Sequence, residues 1–247
     1  MRTLRQEPLP PFERVHIHED AHDTAVITSA QGPWLTLLEH MHDCGAGRLT
    51  YCFVLKRWID AGCAGLLLVL LSPLLVLIAV AVRLEAKGPV IFRQVRVGLH
   101  GRTFVMYKFS TMVPDRRKAQ RPFNGPDRRV HHKTVNDPRI TRVGRFLRRT
   151  SLDELPQLVN VLRGEMSLVG PRPELPHIVT RYAPWQHRRH LVKPGITGWW
   201  QVEGRGVQPM YEHTDLDLYY VANQSFSLDT AILLRTIVVL LVRKGAF

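Results

Sequence analysis

Residues 61–82 read AGCAGLLLVLLSPLLVLIAVAV, a run of 22 residues without one charged side chain. A straight helix of this length is about 33 Å long, enough to cross the hydrocarbon core of a bilayer. Ser72 and Pro73 lie at the middle of the run. Proline removes a backbone donor and clashes with the preceding turn, while serine can bond the carbonyl groups that are released. The stretch therefore predicts a membrane segment that is bent at Ser72-Pro73.

Charged residues flank the apolar run on both sides. Lys56 and Arg57 precede it, and Arg83 and Lys87 follow it. This distribution of basic residues favours both ends on the cytoplasmic face, so it predicts a re-entrant helix-break-helix hairpin that enters and leaves the bilayer on one side. An ordinary kinked span is the alternative. The run begins too far from the N-terminus to be a signal peptide, so we expect a membrane protein that is not secreted.

The wider composition points to an anionic partner. The chain has 247 residues, is 45% hydrophobic, and carries 34 Lys and Arg against 21 Asp and Glu. This hydrophobic content supports a packed core and excludes a disordered protein. The charge is concentrated in residues 83–150, which hold 18 bases and four acids. Such a concentration of positive charge favours phosphate, nucleic acid or acidic lipid as a partner. The three cysteines have no C-x-x-C spacing, so a disulfide framework and a cysteine zinc site are both disfavoured.

We divide the chain into an N-terminal extension of unknown role, residues 1–50, and a domain of residues 51–247 that contains the membrane segment. The extension has weak patterning, and we expect it to be dispensable for activity. Within the domain, Val90–Val97 and Arg102–Phe109 are rich in β-branched and aromatic residues. Because only Gly98-Leu99-His100-Gly101 separates them, they predict a β-hairpin.

The sequence after the hairpin alternates between polar loops and helical patterns. Residues 113–139 lose almost all apolar content and collect arginine, lysine and proline, which predicts a basic loop. The apolar spacing that starts at Leu155 predicts a helix that ends at Gly164. Leu175–Val192 predicts a second amphipathic stretch, and Ala231–Val242 is too short to span, so it packs in the core or lies in the membrane interface. The predicted fold is α+β and mainly α, with a re-entrant membrane hairpin, a small β-hairpin and amphipathic interfacial helices around a compact catalytic core.

Two adjacent carboxylates, Asp153 and Glu154, follow three arginines in the segment RFLRRTSLDELP, residues 145–156. A purely structural explanation exists, because Ser151-x-x-Glu154 fits a capping box. Pro156 disfavours Ser151 as the N-cap, but it is tolerated as the third helical position if Asp153 is the N-cap. The helix dipole and the arginines would then keep Asp153 ionised at neutral pH, as a nucleophile in phosphoryl transfer requires. These residues alone leave both the capping role and the catalytic role open.

Two further basic residues are candidates for phosphate binding. Arg172 lies between two prolines, which lowers the entropy lost when its forked guanidinium meets an oxyanion. Lys108 lies at the end of the second β-run. An ordinary loop arginine and an ordinary surface lysine are the alternatives. The sequence contains no P-loop, no dinucleotide-binding glycine fingerprint, no nucleophile elbow and no H-E-x-x-H motif, so those four enzyme classes have no support.

Seven motifs occur in an order that resembles one family, and they cover residues 51–245. The motifs are Lys56-Arg57-x-x-Asp60, Ser72-Pro73, Ile91-Phe92-x-Gln94-x-Arg96-Val97-Gly98, Tyr107-Lys108-Phe109-x-Thr111-Met112, Ser151-Leu-Asp-Glu-Leu-Pro-Gln157, Met166-Ser167-Leu168-Val169-Gly-Pro-Arg-Pro173 and Pro194-Gly-Ile-Thr-Gly-Trp199. On these motifs the chain is identified as a member of the bacterial sugar transferases, the monotopic polyprenyl-phosphate phosphoglycosyl transferases.

The resemblance implies an enzyme of the bacterial inner (plasma) membrane whose catalytic domain lies on the cytoplasmic face. It implies transfer of a sugar-1-phosphate from a nucleotide sugar, usually a UDP-sugar, to undecaprenyl phosphate, which starts a glycan such as an exopolysaccharide, capsule or O-antigen. In the family the aspartate of the Asp-Glu pair is the covalent nucleophile, and UMP is released. Carried onto this chain, Asp153 is the nucleophile and a ligand of Mg²⁺, and Glu154 assists by positioning, proton handling or metal binding.

The resemblance also assigns the phosphate-binding bases to Lys108, Arg148 and Arg172, with Arg145 and Arg149 as supporting basic residues. The implied partners are a nucleotide sugar, a polyprenyl phosphate and the lipid bilayer, and no nucleic acid. The sequence leaves the oligomeric state open, including a homo-oligomer, and it does not name the sugar.

Three positions depart from residues that are common in the family. Glu165 stands where aspartate is frequent, Trp200 where alanine is common and Glu203 where asparagine is common. Details of the nucleotide or sugar pocket depend on them. The rival functions are a membrane-tethered nucleic-acid-binding protein and an anionic-lipid-binding adaptor without catalysis, both supported by the basic residues 83–150. The first lacks a recognition motif, and its aromatic residues are not interleaved with the bases.

Overall fold

The computed structural model describes residues 51–86, 88–113, 140–203 and 214–242. The N-terminal extension and residues 114–139 of the basic loop lie outside the described residues, so the predictions for them stay predictions. The helices are α1 (Lys56–Leu70), α2 (Ser72–Ala86), α3 (Arg142–Thr150), α4 (Gln157–Arg163), α5 (Pro176–Val179), α6 (Trp199–Glu203), α7 (Thr214–Asn223) and α8 (Phe226–Val242). The strands are β1 (Ile91–Val97), β2 (Thr103–Phe109), β3 (Ser167–Val169) and β4 (Gly195–Thr197). This arrangement confirms the predicted class, α+β and mainly α.

The apolar segment forms the bent pair α1 and α2. The two helices are bent by 64° relative to each other at the break that Pro73 follows. The Ser72 hydroxyl donates a hydrogen bond to the Val69 carbonyl at 2.8 Å, as the sequence predicts for a serine beside a proline break. Within the described ranges no single helix is both long and apolar enough to cross a bilayer, and only α1 and α2 together meet that requirement. The predicted break at Ser72-Pro73 is therefore confirmed.

The predicted hairpin is also confirmed. Strands β1 and β2 pair antiparallel, so that Phe92 lies opposite Lys108 and Gln94 lies opposite Met106. The connection contains a 3₁₀ turn, Leu99–Gly101. Because side chains alternate along a strand, Lys108 shares the face of the hairpin that carries the buried Met106. This face points the lysine towards the interior of the protein.

Two apolar clusters hold the hairpin between the bent pair and the helices that follow it. The first joins Ala64 of α1, Met106 of β2 and the buried residues of α4. The second joins α2 to Phe109 of β2 and Leu147 of α3. Leu155, the residue after Glu154, packs against both clusters. The position of the two carboxylates is therefore coupled to the packing of the whole core.

Helix α4 ends where the sequence predicts, at Gly164. This glycine has a φ of +80°, a conformation that favours glycine over other residues. Arg57 of α1 donates hydrogen bonds to the carbonyls of Val161 and Leu162, both at 2.7 Å, and so binds the carbonyl end of α4. The apolar pair and the segment that carries the carboxylates are thus joined directly.

The predicted amphipathic stretch Leu175–Val192 is not one helix. It consists of the single turn α5 and a 3₁₀ helix, Pro184–Leu191. Pro184 lacks the N–H that a continuous helix would need, and the residue before a proline avoids the α conformation. Ala183 accordingly has an extended backbone, with ψ of 153°.

Helix α8 is longer than the apolar run Ala231–Val242 that predicts it, because it begins at Phe226. Ile232 is completely buried on one side, whereas Leu234 and Ile237 are more than half exposed on another. The helix thus meets the core along one face and presents apolar side chains along the opposite one.

Candidate active site

Asp153 and Glu154 lie in a 3₁₀ turn, Leu152–Glu154, between α3 and α4. The turn follows Ser151, whose positive φ of 57° reverses the chain at the end of α3. Helix α4 starts only at Gln157, after Pro156. The prediction that Asp153 caps this helix is therefore wrong: Pro156 is accommodated directly before α4, where its missing N–H is not needed.

The capping box is not formed either. The Ser151 side chain makes no capping hydrogen bond at the start of the turn. The carboxylate of Glu154 turns away from the backbone and accepts hydrogen bonds from Lys108 Nζ at 2.8 Å and Arg172 Nη2 at 2.9 Å. Both cations meet the same oxygen, Oε1. The structural explanation of the Asp-Glu pair therefore fails for Glu154.

Glu154 is held in its ionised form. Burial by itself would raise the pKa of this carboxyl, but Arg172 and Lys108 hold the pKa of Glu154 far below its usual range. The side chain is only 15% exposed. A carboxylate that is permanently ionised and already bonded to two cations is a poor acid or base near neutral pH.

Asp153 has the opposite environment. Burial, and next the negative charge of Glu154, raise the pKa of Asp153, while Lys108, Arg172 and Arg148 act against this rise. The helix N-terminus and arginines expected from the sequence therefore do not dominate its ionisation. Within the described residues no hydrogen bond is made to the Asp153 carboxylate. Its oxygens are available to a ligand, beside a fixed group of positive charges.

Lys108 and Arg172 approach the pair from different elements. Lys108 is the penultimate residue of β2, and its side chain is 15% exposed. Burial lowers the pKa of Lys108, even though Glu154 favours its charged form. Arg172 comes from the loop between β3 and α5, and Glu154 raises its pKa. The structure thus brings together three residues that the sequence singled out separately: Lys108, Glu154 and Arg172.

Of the four arginines of α3, the three that the sequence singled out are placed less uniformly. Arg148 is half-buried and donates from Nε to the Thr111 hydroxyl at 2.8 Å, and its charge acts on Asp153. Arg145 and Arg149 are exposed. Helical geometry explains the difference. Leu147 marks the face of α3 that packs on α2, and around the helix Arg148 lies nearer to this face than Arg145 and Arg149 do.

Asn160 is a positioning residue that the sequence reasoning missed. It is completely buried in α4, and its amide accepts from the backbone N–H of Tyr107 at 3.1 Å and donates to the carbonyl of Val105 at 2.7 Å. It also donates to Glu165 at 2.6 Å, which gives that departure from the family pattern a structural role. The signal was a single polar residue within the apolar spacing of the predicted helix.

The other two departures lie on α6. Glu203 is exposed and forms an ion pair with Arg235 of α8. Trp200 is half-buried, and its indole nitrogen has no hydrogen-bond partner among the residues that the structure describes. Neither residue contacts the Asp-Glu pair through any interaction described above, so their meaning for substrate choice stays a prediction.

Asp153 is of the donor type that Mg²⁺ prefers, and a magnesium site here stays a prediction. In the described part of the chain no three His, Cys, Asp or Glu side chains come together as a metal cage. Mg²⁺ commonly takes one or two carboxylates and fills its remaining positions with phosphate oxygens and water. Asp153 offers such a carboxylate, whereas Glu154 is committed to Lys108 and Arg172.

Comparisons with known proteins identify the family. Residues 51–243 match the family model described as "Bacterial sugar transferase". An "Uncharacterized sugar transferase EpsL" of Bacillus subtilis is 44% identical over 192 residues, which cover 78% of this chain and 90% of that protein.

Two relatives have names that state an activity. The undecaprenyl-phosphate galactose phosphotransferase of Salmonella typhimurium is 43% identical over 199 residues, and the UDP-glucose:undecaprenyl-phosphate glucose-1-phosphate transferase of Escherichia coli is 44% identical over 205 residues. The matched regions cover 78% of this chain in each case, but only 42% of each relative. The matched region includes all the residues that surround Asp153, and the chain belongs to the bacterial sugar transferase family.

Proposed function

We propose that this protein transfers a sugar-1-phosphate from a UDP-sugar to undecaprenyl phosphate through a covalent intermediate on Asp153. The observation that carries the proposal is the contrast within the Asp-Glu pair. Glu154 is bonded to Lys108 and Arg172, while the Asp153 carboxylate accepts no hydrogen bond from the described residues and lies beside the same two cations. A nucleophile and a group of phosphate-binding charges are thus adjacent.

The first step is attack of an Asp153 oxygen on the phosphorus that bears the sugar. An O–P bond forms, the bond from this phosphorus to the bridging oxygen of the diphosphate breaks, and the electron pair leaves with UMP. Lys108 and Arg172 stabilise the negative charge that develops on the phosphoryl oxygens. Arg148 adds a third positive charge near Asp153.

The second step reverses the first with a different acceptor. An oxygen of undecaprenyl phosphate attacks the same phosphorus, the Asp153 O–P bond breaks, and the carboxylate is regenerated as the lipid diphosphate sugar leaves. Glu154 stays ionised in both steps and orients the two cations. When bound, Mg²⁺ would be held by Asp153 and would neutralise charge on the diphosphate.

The names of the relatives support this reaction. The relatives from Salmonella typhimurium and Escherichia coli are named for transfer to undecaprenyl phosphate, with galactose and glucose as the respective sugars. Another relative, from Aeromonas hydrophila, is named for N-acetylgalactosamine. UDP-glucose, UDP-galactose and UDP-N-acetylgalactosamine are therefore the donors to screen first.

The proposed location is the bacterial plasma membrane, with the site on the cytoplasmic face and the product starting a surface glycan. Helices α1 and α2 have 15 residues each, or about 22 Å. In a symmetric shallow V with a 64° bend, each arm is inclined by roughly 32° and the apex lies roughly 12 Å deep, less than half of the ~30 Å hydrocarbon core. The side chains near the apex are apolar and exposed, including Val69, Leu70 and Leu77.

Cysteine labelling tests the re-entrant arrangement. Val54 precedes α1, Pro89 follows α2 and both are exposed, so Val54→Cys and Pro89→Cys can each be introduced into a protein without its native cysteines. We expect an impermeant reagent to leave both unlabelled in intact cells and to label both after lysis. Labelling of only one position in intact cells would show a single span instead.

Replacement of the nucleophile tests the chemistry. Asp153→Asn keeps the shape of the side chain and removes its charge, and we expect a folded protein whose activity is reduced by about three orders of magnitude or more. The wild type, with UDP-sugar and Mg²⁺ but no lipid, should release UMP in a burst no larger than the enzyme concentration. Intact-mass analysis should then find the sugar-phosphate adduct on Asp153.

The exposed Asp215 of α7 supplies the matched control. Asp215→Asn makes the same chemical change far from the Asp-Glu pair in sequence, and it should retain nearly full turnover. Substantial turnover by a well-folded Asp153→Asn protein would remove the covalent route and leave direct transfer to the lipid phosphate.

A further inference from the structure

The loop that carries Arg172 is fixed by its backbone. Each of the four consecutive carbonyls from Pro171 to Glu174 accepts a hydrogen bond. The donors, in the order of these carbonyls, are the Gly195 amide at 2.9 Å, the Arg189 guanidinium at 2.8 Å, the Arg96 guanidinium at 3.1 Å and the Val97 amide at 2.9 Å. Two donors are strand amides, and two are arginine side chains from separate elements.

Proline alone cannot supply this rigidity. The rings of Pro171 and Pro173 fix φ at their own positions, and the residue before a proline is restricted as well. The direction of each carbonyl depends on ψ, which the ring leaves free. The Gly195 amide, which holds the carbonyl of Pro171, therefore fixes the rotation before Arg172, and Arg189 and Arg96 fix the two rotations after it.

Arg189 contacts the Arg172 carbonyl from the interior of the protein. It is 2% exposed, and its guanidinium forms an ion pair with Asp217 of α7 at 2.5 Å and a hydrogen bond with the Tyr182 hydroxyl. Arginine is almost never buried this far unless it is paired. The same Nη2 atom that meets Asp217 donates to the Arg172 carbonyl. The 3₁₀ helix 184–191 and α7 together thus support the loop.

Arg96 holds the loop from the other side. Its Nε and Nη2 atoms donate to Oε1 of Gln94 at 3.2 and 2.7 Å, which leaves Nη1 directed at the carbonyl of Pro173. Nη1 also lies 3.9 Å from the buried carboxylate of Glu174. The hairpin that presents Lys108 to Glu154 therefore also supports the loop that presents Arg172 to Glu154.

We infer that Arg189 and Arg96 are positioning residues that act through Arg172, because they hold its own carbonyl and that of the next residue so that its guanidinium meets Glu154 and the diphosphate of the donor. The inference rests on the proposed function for the identity of that donor. A displacement of about 1 Å in such a group can reduce a rate about 100-fold, so the support of the loop is worth measuring separately from its charge.

Arg189→Lys tests the inference while it keeps the positive charge. A lysine can still pair with Asp217, but it has no rigid fork to hold the Arg172 carbonyl at the same time. We expect kcat/KM for the best UDP-sugar to fall about tenfold. The matched control is Arg188→Lys, since Arg188 is the preceding residue and is exposed. It should stay within about twofold of the wild type.

A double-mutant cycle with Arg172→Lys separates positioning from general stability. If Arg189 acts through the guanidinium of Arg172, its substitution should change activity less than about twofold once that guanidinium is gone. An equal tenfold loss in both backgrounds would mean that Arg189 acts elsewhere, and no loss in the wild-type background would equally overturn the inference. If the Arg172→Lys background is too slow, the same cycle is measured on the affinity for UDP with Mg²⁺.

Two provisions keep the test decisive. If Arg189→Lys does not fold, Arg96→Lys is used in the same cycle, because it disturbs the neighbouring carbonyl from another element. Absence of UMP release from every UDP-sugar by the wild type would contradict the proposed function, whereas the cycle on UDP affinity reports on the loop alone. The two failures are therefore distinguishable.

Discussion

Two segments of the chain supply arginines to the neighbourhood of Asp153, and they do so in different ways. Helix α3 carries four arginines, of which only Arg148 is half-buried and bonded to Thr111. The loop of residues 170–174 carries only Arg172, yet this residue forms the 2.9 Å contact with Glu154. The segment with the higher density of charge is therefore the less closely engaged with the Asp-Glu pair.

The difference shows that the position of a charge matters more here than the number of charges. An exposed guanidinium is screened by salt and must lose side-chain entropy to reach a ligand. A guanidinium on a fixed backbone, in a partly buried site, has lost that entropy during folding and acts in a lower dielectric. The four predictions below test this contrast from the largest expected effect to the smallest.

Arg172→Ala should have the largest effect. It removes one of two cations bonded to Glu154 and a donor to the developing charge, so we expect kcat/KM to fall about 10³-fold. Arg181→Ala is the control, because Arg181 is exposed just after α5. A loss below about tenfold with a folded protein would contradict the primary role given to the loop.

Arg148→Ala should have an intermediate effect, a loss of about tenfold in kcat/KM. The charge of Arg148 acts on Asp153, but the described structure shows no hydrogen bond from Arg148 to Asp153 or Glu154. Thr111→Val removes the hydroxyl that accepts from Arg148 and leaves the charge in place. Its loss should be smaller than that of Arg148→Ala. A reversed order would mean that Thr111 contributes independently.

Arg145→Ala and Arg149→Ala should each change kcat/KM less than about threefold at low salt, since both side chains are exposed. The remaining effect should disappear at about 0.5 M salt, where the Debye length is only a few ångströms. Steady-state kinetics at two salt concentrations measures this. A large, salt-resistant loss would show that these arginines bind substrate directly and would weaken the contrast between the segments.

The smallest effect concerns His190, which lies next to the Arg189 that holds the Arg172 loop, and it appears in the pH dependence of the free energy of unfolding. His190, next to Arg189, is 8% exposed, and burial lowers its pKa to about 3. Between about pH 6.5 and 3 the unfolded chain therefore binds a proton that the folded chain does not, and stability falls as pH falls. His190→Phe keeps a ring beside Tyr182 and removes this titration.

Denaturant melts at pH 7 and pH 5 measure that effect. The wild type should lose roughly 1–2 kcal/mol more than His190→Phe between the two pH values. Burial raises the pKa of Asp217 to about 6, which contributes stability of the opposite sign as pH falls, but this contribution is common to both proteins. Equal pH dependence of the two proteins would mean that His190 takes up its proton in the folded state as readily as in the unfolded chain.

Much of the architecture is predictable because it depends on local patterns. The break at Ser72-Pro73 follows from the composition of a short apolar segment. The antiparallel pair β1 and β2 follows from two β-rich runs and the turn residues between them. The end of α4 follows from a glycine that can adopt a positive φ. The starts of helices are less predictable, as Pro156 and Pro184 show, since proline is compatible with several kinds of helix start.

The sequence by itself determined the apolar bent segment, the hairpin, the Asp-Glu pair and the family, because each is written in neighbouring residues or in ordered motifs. Only the tertiary structure decided how the two carboxylates differ. Glu154 is bonded to partners 46 and 18 residues away, so its ionisation depends on contacts that no local window contains. The same holds for Arg172, which owes its direction to Arg96 and Arg189. Electrostatics and packing act through space, and adjacent residues in the chain can therefore have opposite environments.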